Sequence, residues 1–310
     1  MMTQYIGIDV GGSTIKAALV DEQGQLKNYQ QCPTTRDDPE KVLQTLTELI
    51  HYYQTTTITQ VGISIPGVIN PAGKMITSGA IAQLHHYAVL DDLQKATHTT
   101  VRLVNDANAI ALAEHWQGRA KDVQTFVCVP LGTGVGGSIF LNGQLVTGVG
   151  GAAGEFGMML ANPEKVSAQT AHLAEYSFNA GAVAGLCRIY NQKLKRVNLA
   201  DWELSVPQIL KKAATGQTEA QESLAIFYQN VATLLLNIRV VLDPSLILIG
   251  GGISESQTII NGIQAVLTAI TKQHPDLLAI GMPPVLPCQL GNRAGIIGAA
   301  SQFVKQTRLG

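Results

Sequence analysis

The chain has 310 residues, of which 46% are hydrophobic and 14% are charged, with 31 glycines and a formal net charge of −1. This composition supports a large core with many tight turns and excludes a disordered chain. The near-zero charge gives no electrostatic reason to expect nucleic acid as a partner. The length is enough for two domains.

Cysteine usage and hydropathy indicate the cellular location of the protein. Its four cysteines are widely scattered and form no C-x-x-C pair, which favours buried, reduced thiols over a metal cluster. No signal-peptide pattern opens the chain, and no uninterrupted apolar run approaches the length needed to span a bilayer. We therefore expect a cytoplasmic protein that does not bind a membrane.

A glycine-rich turn between two predicted strands lies near the start of the chain. Residues 5–10 indicate a strand, residues 11–14 read G-G-S-T, and residues 15–20 indicate a second strand closed by a turn signal. Since no helix follows the glycines, the turn itself would have to present backbone N–H groups to an anion. Asp9, beside the turn, could hold Mg²⁺ or its waters. The alternative is an ordinary hairpin with a surface acid.

The next predicted elements lead to a glycine that is a candidate ligand contact. Residues 24–29 predict a third strand and Asp38 a helix start, and residues 61–65 predict a buried strand that leads to Gly67. A glycine there would let the backbone approach a ligand, although a plain turn explains it equally well.

Asn105 and Asp106 stand between a predicted strand (residues 101–104) and a predicted helix (residues 107–116). Open α/β sheets place ligand-binding groups at this kind of position. Asp106 could instead serve only as a helix N-cap. Because a cap needs one such residue and the sequence provides two, we interpret the pair as part of a polar site.

A second glycine-rich turn follows the strand predicted at residues 126–130, where a second domain would begin. Residues 131–138 read L-G-T-G-V-G-G-S and satisfy G-x-G-x-x-G. A dinucleotide site would need a helix next, whereas residues 139–146 predict a strand, an Asn-Gly hairpin turn and another strand. We reject that site. The arrangement repeats the first one and suggests a duplicated two-domain fold with facing phosphate loops.

The rest of the chain adds a glycine-rich loop at residues 148–157, whose acid, Glu155, we interpret as a ligand contact. Helices are predicted at residues 168–190, 206–242 and 296–304. A strand at residues 245–249 leads through three glycines into a helix, which suits close approach to a nucleotide. His172 is interpreted as a surface or packed imidazole, since no second metal ligand stands at i+4.

Several motifs together resemble the ROK family of sugar kinases, within the actin-like ATPase superfamily. They cover nearly the whole chain: D-V-G-G-S-T (residues 9–14), I-P-G (65–67), V-N-D-A-N-A (104–109), L-G-T-G-V-G-G (131–137), G-A-A-G-E-F-G (151–157), I-L-I-G-G-G-I (247–253) and A-G-I-I-G-A (294–299). The resemblance implies an α/β, two-domain actin-like ATPase (ribonuclease H-like) fold with duplicated β-hairpin phosphate loops. The expected domains are residues 1–117 plus 295–310, and residues 118–294.

The resemblance also implies the activity, which is transfer of phosphate from ATP, with Mg²⁺, to the 6-hydroxyl of a hexose. Asp106 would be the general base. The sugar would be bound by Gly67, Asn105, Asp106, Glu155 and Glu175. The phosphates and nucleotide would lie against Asp9, Gly11, Gly12, Ser13, Thr14, Gly132, Thr133, Gly134, Gly251 and Gly252, with Asp9 holding Mg²⁺ through water. A homodimer is the family tendency.

The chain departs from the family pattern at Met158. Many members have a histidine there that contacts sugar and binds a structural zinc with three downstream cysteines, and residues 159–179 contain no cysteine. We therefore expect no zinc. The departure weakens the assignment of Glu175 and leaves glucose, N-acetylmannosamine or a β-glucoside as candidate substrates. The loop at residues 78–80 also matches the family only loosely.

Two other functions compete with a kinase. The first is a transcriptional regulator, which in this family carries an N-terminal helix-turn-helix; the first predicted strand begins within five residues of the start, and the neutral charge offers no other DNA-binding surface. The second is a catalytically weak sugar sensor. Asp9, the glycine turns and Asp106 together oppose it, whereas the departure at Met158 leaves it open.

Overall fold

The computed structural model describes residues 3–162, 164, 166–167 and 169–304. The chain forms two compact units: a first one from Met1–Gln124, Ile139–Ala153 and Asn292–Gly310, and a second one from Thr125–Ser138 and Gly154–Gly291. The functional domains expected at residues 1–117 plus 295–310 and at 118–294 stay a prediction, part of which (305–310) lies outside the described residues.

The first unit is built on a five-stranded sheet with the order β3-β2-β1-β4-β5. Strands β1 and β2 form the predicted antiparallel hairpin, and β4 and β5 run parallel to β1. The register places Asp9 of β1 opposite Ser64 of β4, and Ile65 of β4 opposite Asn105 of β5. Their carboxyl ends therefore lie at one edge of the sheet. The bounds are β1 Gln4–Val10, β2 Thr14–Asp21, β3 Leu26–Pro33, β4 Gln60–Ile65 and β5 Thr100–Asn105.

Helices cover this sheet, namely α1 (Pro39–Tyr53), α2 (Val89–Thr97) and α3 (Asp106–Gln117). The predicted start of α1 is confirmed, because the Asp38 side chain accepts a hydrogen bond from the backbone N–H of Lys41 at 3.1 Å. Val42, Leu46 and Ile50 of α1 are fully buried in the core beneath the sheet. The strand expected at residues 24–29 begins two residues later and runs on to Pro33.

The last helix, α11 (Ala294–Ser301), packs against β1, β4 and α3. It ends three residues before the predicted limit at residue 304. A Cβ added to Gly62 of β4 would lie 1.9 Å from the Ala299 carbonyl oxygen, and one added to Gly298 would lie 1.8 Å from the Ala109 carbonyl oxygen. Glycine at these two positions thus permits the helix backbone to touch its neighbours directly.

The chain passes between the units within β7 (Ser138–Leu141), which pairs with β8 (Gln144–Val146) in an antiparallel hairpin. Asn142 and Gly143 have φ values of 53° and 74°, which are typical of the tight hairpin turn that an Asn-Gly pair favours. The hairpin predicted from this dipeptide is confirmed.

The second unit contains the parallel strands β10-β9-β6, whose bounds are β6 Phe126–Pro130, β9 Leu246–Gly250 and β10 Val285–Pro287. Its helices are α4 Ala171–Ala174, α5 Tyr176–Ala180, α6 Arg188–Lys193, α7 Val206–Ala214, α8 Thr218–Leu242, α9 Gln257–Gln273 and α10 Pro275–Ile280.

The prediction of two long, continuous helices in the second unit is wrong. The segment from residue 168, which itself lies outside the described residues, to residue 190 is interrupted at Glu175 and Gly181, and a π-helical stretch (Ala182–Cys187) precedes α6. The segment at residues 206–242 is broken between α7 and α8, where Gly216 adopts a φ of 91°. Such a left-handed glycine commonly ends a helix.

Helix α8 is, among the described residues, the one helix whose length and apolar composition would allow it to cross a membrane. Core helices of folded proteins pass the same test. Phe227, Val231 and Leu234 of α8 are completely buried, and the helix packs against α5, α7 and α9. Packing within the second unit thus accounts for part of its apolar surface, while Ile226, Val240 and Val241 stay exposed.

Candidate functional site

Asp9 lies at the carboxyl edge of the first sheet, in contact with three other elements. Its Oδ1 accepts a hydrogen bond from Ser64 Oγ at 2.9 Å, and its Oδ2 lies 3.6 Å from Lys16 Nζ. A Cβ added to Gly295 would come within 2.2 Å of Oδ1. Burial raises the pKa of the Asp9 carboxyl, while the charge of Lys16 opposes that rise. The carboxylate is therefore held in a defined place.

The first glycine turn (residues 11–14) follows Asp9 directly. Thr34, which follows β3, fixes this turn with two hydrogen bonds. Its Oγ1 donates to the Gly11 carbonyl at 2.8 Å and its N–H donates to the Ser13 carbonyl at 3.0 Å. In the described part of the chain, the N–H groups of Gly12 and Ser13 donate to no protein atom. Two free backbone donors in a rigid turn form a concavity suited to an anion.

Asn105, rather than Asp106, is the N-cap of α3. Its Oδ1 accepts from the N–H groups of Ala107 (2.9 Å) and Asn108 (3.1 Å). Its Nδ2 donates to the Gly67 carbonyl at 3.0 Å and to Asp106 Oδ1 at 3.1 Å. Capping therefore does not explain Asp106. One asparagine joins the end of β5, the Gly67 turn and the Asp106 carboxylate.

The backbone geometry at position 67 requires glycine. It adopts a φ of 107°, and a Cβ at this position would lie 2.2 Å from the Thr77 carbonyl oxygen. The Asn105 amide bonds directly to its carbonyl. The two predicted sugar ligands Gly67 and Asn105 are thus neighbours.

The Asp106 side chain is open to solvent, although protein surrounds it on most sides. This partial removal from bulk water raises the pKa of the Asp106 carboxyl to about 6, and the negative charge of Asp9 adds to the rise. The N–H of Ala107, which donates to Oδ1 at 2.9 Å, opposes it. A carboxylate with a raised pKa and an open approach is suited to accept a proton near neutral pH.

The second glycine turn lies in the second unit, where Leu131 pairs with Val135 across it. The carbonyl of Gly132 accepts from Ala182 N–H at 2.8 Å, and that of Thr133 accepts from Ala184 N–H at 2.9 Å. Within the described residues, the N–H groups of Thr133 and Gly134 donate to no protein atom. As in the first turn, neighbouring elements hold the carbonyls and two donors stay free.

The glycines after β9 lie beside this turn. Gly251 has a φ of 81°, and a Cβ there would lie 2.3 Å from the Leu131 carbonyl oxygen, whereas Gly252 is exposed with no atom within 4 Å of its added Cβ. The predicted nucleotide contacts of the second unit are therefore adjacent. The predicted order of strand, glycines and helix is confirmed, with a short 3₁₀ turn (Gly252–Glu255) before α9.

Glu155 and Glu175 belong to segments that pack on the second glycine turn. Glu155 precedes the turn Phe156–Met158, and Ser177, two residues after Glu175, donates from Oγ to the Val135 carbonyl at 3.4 Å. Tyr176 N–H also donates to the Met159 carbonyl at 2.9 Å. A Cβ added to Gly157, two residues after Glu155, would lie 2.2 Å from the Val135 carbonyl oxygen. Both acids therefore belong to segments that touch the turn.

The Met158 region provides few metal ligands. The Met158 side chain is 55% exposed, and the described residues contain no group of three or more His, Cys, Asp or Glu side chains that could hold a metal ion. His172 is exposed, with its ring 6.4 Å from that of Phe178. The expected absence of zinc stays a prediction.

Sequence reasoning missed several supporting residues, which are Lys16, Ser64, Ser177, Gly181 and Gly295. Lys16 could have been found, because the hairpin register places it directly opposite Asp9. The others depend on long-range packing: a Cβ on Gly181, for example, would lie 2.7 Å from the Thr133 carbonyl oxygen.

Glycine turns in both units and a carboxylate pair at the carboxyl ends of parallel strands define an α/β protein of the actin-like ATPase fold. The sequence profile of the ROK family matches residues 5–306. The chain belongs to the ROK family.

Relatives and solved structures agree with this membership. A β-glucoside kinase of Listeria monocytogenes is 29% identical over 299 residues, which cover 96% of each chain. The structure of a proposed N-acetylmannosamine kinase of the same species has a TM-score of 0.84 at 27% identity, covering 97% of this chain and 98% of the other. A Streptomyces griseus glucokinase, solved with glucose and AMPPNP, shares the fold, with a TM-score of 0.78 at 24% identity and coverage of 96% and 98%.

Proposed function

We propose that the chain is an ATP-dependent sugar kinase that phosphorylates the 6-hydroxyl of a hexose. The observation that carries the proposal is Asp106, a solvent-accessible carboxylate with a raised pKa that is held by Asn105 beside the Gly67 turn. Membership of the ROK family supports it, because relatives that match nearly the whole chain are named as sugar kinases.

In the proposed reaction, the sugar hydroxyl oxygen attacks the γ-phosphorus of ATP while its proton passes to Asp106. The new oxygen–phosphorus bond forms as the bond to the departing ADP breaks. Such a transfer needs positioning, charge neutralisation and one acceptor carboxylate. Asn105 would keep that carboxylate oriented toward the sugar.

The phosphates would bind the free N–H groups of Gly12, Ser13, Thr133 and Gly134, with Gly11, Thr14 and Gly132 completing the two turns. Gly251 and Gly252 would lie along the nucleotide. Asp9 fits an indirect magnesium role, because one of its oxygens is engaged by Ser64 and the other is 3.6 Å from Lys16. Mg²⁺ held there through water would neutralise phosphate charge.

The sugar itself would bind Gly67, Asn105 and Asp106 of the first unit and Glu155 and Glu175 of the second. Glucose, N-acetylmannosamine and β-glucosides are the candidate acceptors. Relatives named for a β-glucoside and for N-acetylmannosamine are 29% and 27% identical to this chain, and these similar values do not favour one sugar.

The experiment is an ATP-consumption screen over hexoses, amino sugars and glucosides, with wild type beside Asp106→Asn. We expect the variant to bind sugar but to lose about 10²–10⁴-fold in kcat, because an amide cannot accept the hydroxyl proton. Its fold should persist, since the substitution preserves side-chain shape. Turnover near wild type in the variant would remove Asp106 from the mechanism.

The same screen tests the sugar-sensor function. A wild-type protein that binds a sugar by calorimetry but consumes no ATP with any acceptor would favour the sensor. The free donors of both glycine turns oppose that function, because sugar binding alone has no use for two anion-binding turns.

A further inference from the structure

Two cysteines of the second unit have their sulfur atoms in contact. Cys128 is buried in β6, and Cys288 is half-buried directly after β10. Their Sγ atoms lie 3.4 Å apart, and both thiols are reduced. Among the described residues, this is the one pair of cysteines whose sulfurs touch. The proposed phosphate transfer uses neither thiol, so the pair is open to another role.

The cysteine pair lies at the end of β9, the strand that leads to the nucleotide glycines. In the order β10-β9-β6, β9 separates β6, which carries Cys128, from β10, which Cys288 follows. The Cys288 N–H donates to the Ile249 carbonyl of β9 at 2.8 Å. A Cβ added to Gly250 would lie 3.3 Å from Cys288 Sγ. The lack of a side chain at Gly250 therefore leaves room for this sulfur.

Gly250 also contacts the second glycine turn. Its carbonyl accepts a hydrogen bond from the Leu131 N–H at 3.0 Å, and a Cβ added to Gly251 would lie 2.3 Å from the Leu131 carbonyl oxygen. Leu131 begins the second glycine turn, and Gly251 is a proposed nucleotide contact. A displacement at Gly250 would therefore move both the phosphate-binding turn and the glycines that would lie along the nucleotide.

The other two cysteines, Cys32 and Cys187, have no neighbouring thiol within the described residues. Burial raises the pKa of the Cys32 thiol, and the charge of Glu48 adds to the rise. Burial also raises the pKa of the Cys187 thiol, to about 11. Because the thiolate is the form that peroxide oxidises, a raised pKa slows that reaction. Cys32 is half-buried like Cys288 and therefore provides a matched control.

We propose that Cys128 and Cys288 form a site of oxidative modification, where hydrogen peroxide produces a disulfide that weakens ATP binding. Cys288, the more accessible thiol, reacts first: its sulfur takes one oxygen of the peroxide, which gives a sulfenic acid and one water. The Cys128 sulfur then displaces the hydroxyl group from Cys288, the sulfur–sulfur bond forms, and a second water leaves. Two thiols thus lose two electrons and two protons to one peroxide.

The disulfide would change the position of the strand ends. The Cα atoms of a disulfide lie about 4.4–6.8 Å apart, whereas two strands that flank a third are about 10 Å apart. Forming the bond therefore draws the end of β10 toward β6 across Gly250. This displaces the contacts of Gly250 and Gly251 with Leu131, so the oxidised protein binds ATP less tightly. The reaction at the cysteines is independent of the proposed kinase function, on which only the effect on ATP rests.

The test treats the purified chain with hydrogen peroxide and then alkylates the remaining thiols. Peptide mass spectrometry should detect a disulfide between Cys128 and Cys288, and calorimetry with AMPPNP and Mg²⁺ should give a Kd at least tenfold above that of the reduced protein. Dithiothreitol should restore the original Kd. No cross-linked peptide would overturn the modification site, and a cross-linked peptide with an unchanged Kd would overturn the effect on ATP. A reduced protein that binds no AMPPNP would instead contradict the proposed kinase function, and the peptide analysis would still decide the modification site.

Three variants separate this disulfide from other oxidation. Cys288→Ser should keep the Kd of the reduced protein after peroxide treatment, because serine cannot form the bond, whereas the control Cys32→Ser should stay as sensitive as wild type. Equal sensitivity of Cys288→Ser and wild type would overturn the assignment. Cys128→Ala should accumulate the sulfenic acid at Cys288, detected as a dimedone adduct, since no second thiol condenses with it. A folded Cys128→Ala protein without that adduct would overturn the proposed order of steps.

Discussion

Asp106 and Asp9 show how neighbouring acids can differ in role. Asp9 is engaged by Ser64 and faces Lys16, whereas Asp106 is open to solvent and feels the negative charge of Asp9. In the proposed kinase, the first would hold a cation through water and the second would accept a proton. Their environments, rather than their chemical type, separate these tasks.

The raised pKa of Asp106 predicts the pH dependence of the activity. A general base must be deprotonated, so kcat/KM should fall about tenfold per pH unit below the pKa of about 6. An aspartate at the ordinary value of 3.8 would keep its activity to much lower pH. Initial rates from pH 4.5 to 8, with circular dichroism to verify folding, would measure this. A flat profile down to pH 5 would contradict the assignment.

Asn105 combines capping with orientation, and two substitutions separate these roles. Asn105→Ala removes the cap and should lower the free energy of unfolding by about 1 kcal/mol, measured with urea. Asn105→Asp keeps the capping oxygen and should retain most of that stability. It loses the amide donor to Gly67 and Asp106, so kcat/KM should fall in both variants.

Asn105→Asp also places a second negative charge beside Asp106. The pKa of the Asp106 carboxyl should rise further, and the acid limb of the pH profile should move to higher pH. An unshifted limb would mean that residue 105 does not act on the base.

At the scale of the element, α11 sets the position of Asp9. A Cβ on Gly295 would lie 2.2 Å from Asp9 Oδ1, so Gly295→Ala must displace the carboxylate or the helix. We expect at least a tenfold loss of kcat/KM with MgATP. Gly150→Ala is the control, because its added Cβ meets nothing within 4 Å and its φ is not positive. Equal activity of the two variants would show that α11 does not constrain Asp9.

Strands and turns could be predicted from sequence where the signal is local. The Asn142-Gly143 turn requires two left-handed residues, and the apolar runs of β1, β4 and β6 are short and bounded by glycine or proline. The motif positions of Gly67, Asn105 and Asp106 also fall together, because adjacent parallel strands end at one edge.

Helix breaks in the second unit could not be predicted in the same way. The backbone turns at Glu175 because the adjacent Tyr176 N–H bonds to the Met159 carbonyl, and Gly181 lies against Thr133, 48 positions earlier. Such partners are distant in sequence. Gly216 is different, since a glycine after a helical run is a local stop signal.

For the whole molecule, the departure at Met158 predicts independence from zinc. Purified protein should contain well under one zinc per chain by elemental analysis, and EDTA without Mg²⁺ present should leave the Tm unchanged. A structural zinc would instead contribute folding energy, and the chelator would lower the Tm. One tightly held zinc per chain would contradict the interpretation of this region.

The homodimer and the cytoplasmic location stay predictions.

The packing of α11 on β1 and β4 has a consequence for synthesis on the ribosome. Residues 292–304 are translated after the entire segment 154–291 of the other unit, yet they cover strands made from residues 4–65. Until they emerge, one face of that early sheet lacks its cover and exposes apolar surface to chaperones and to other nascent chains. The first unit, whose strands are translated first, can therefore complete its fold only after nearly the whole chain has been made.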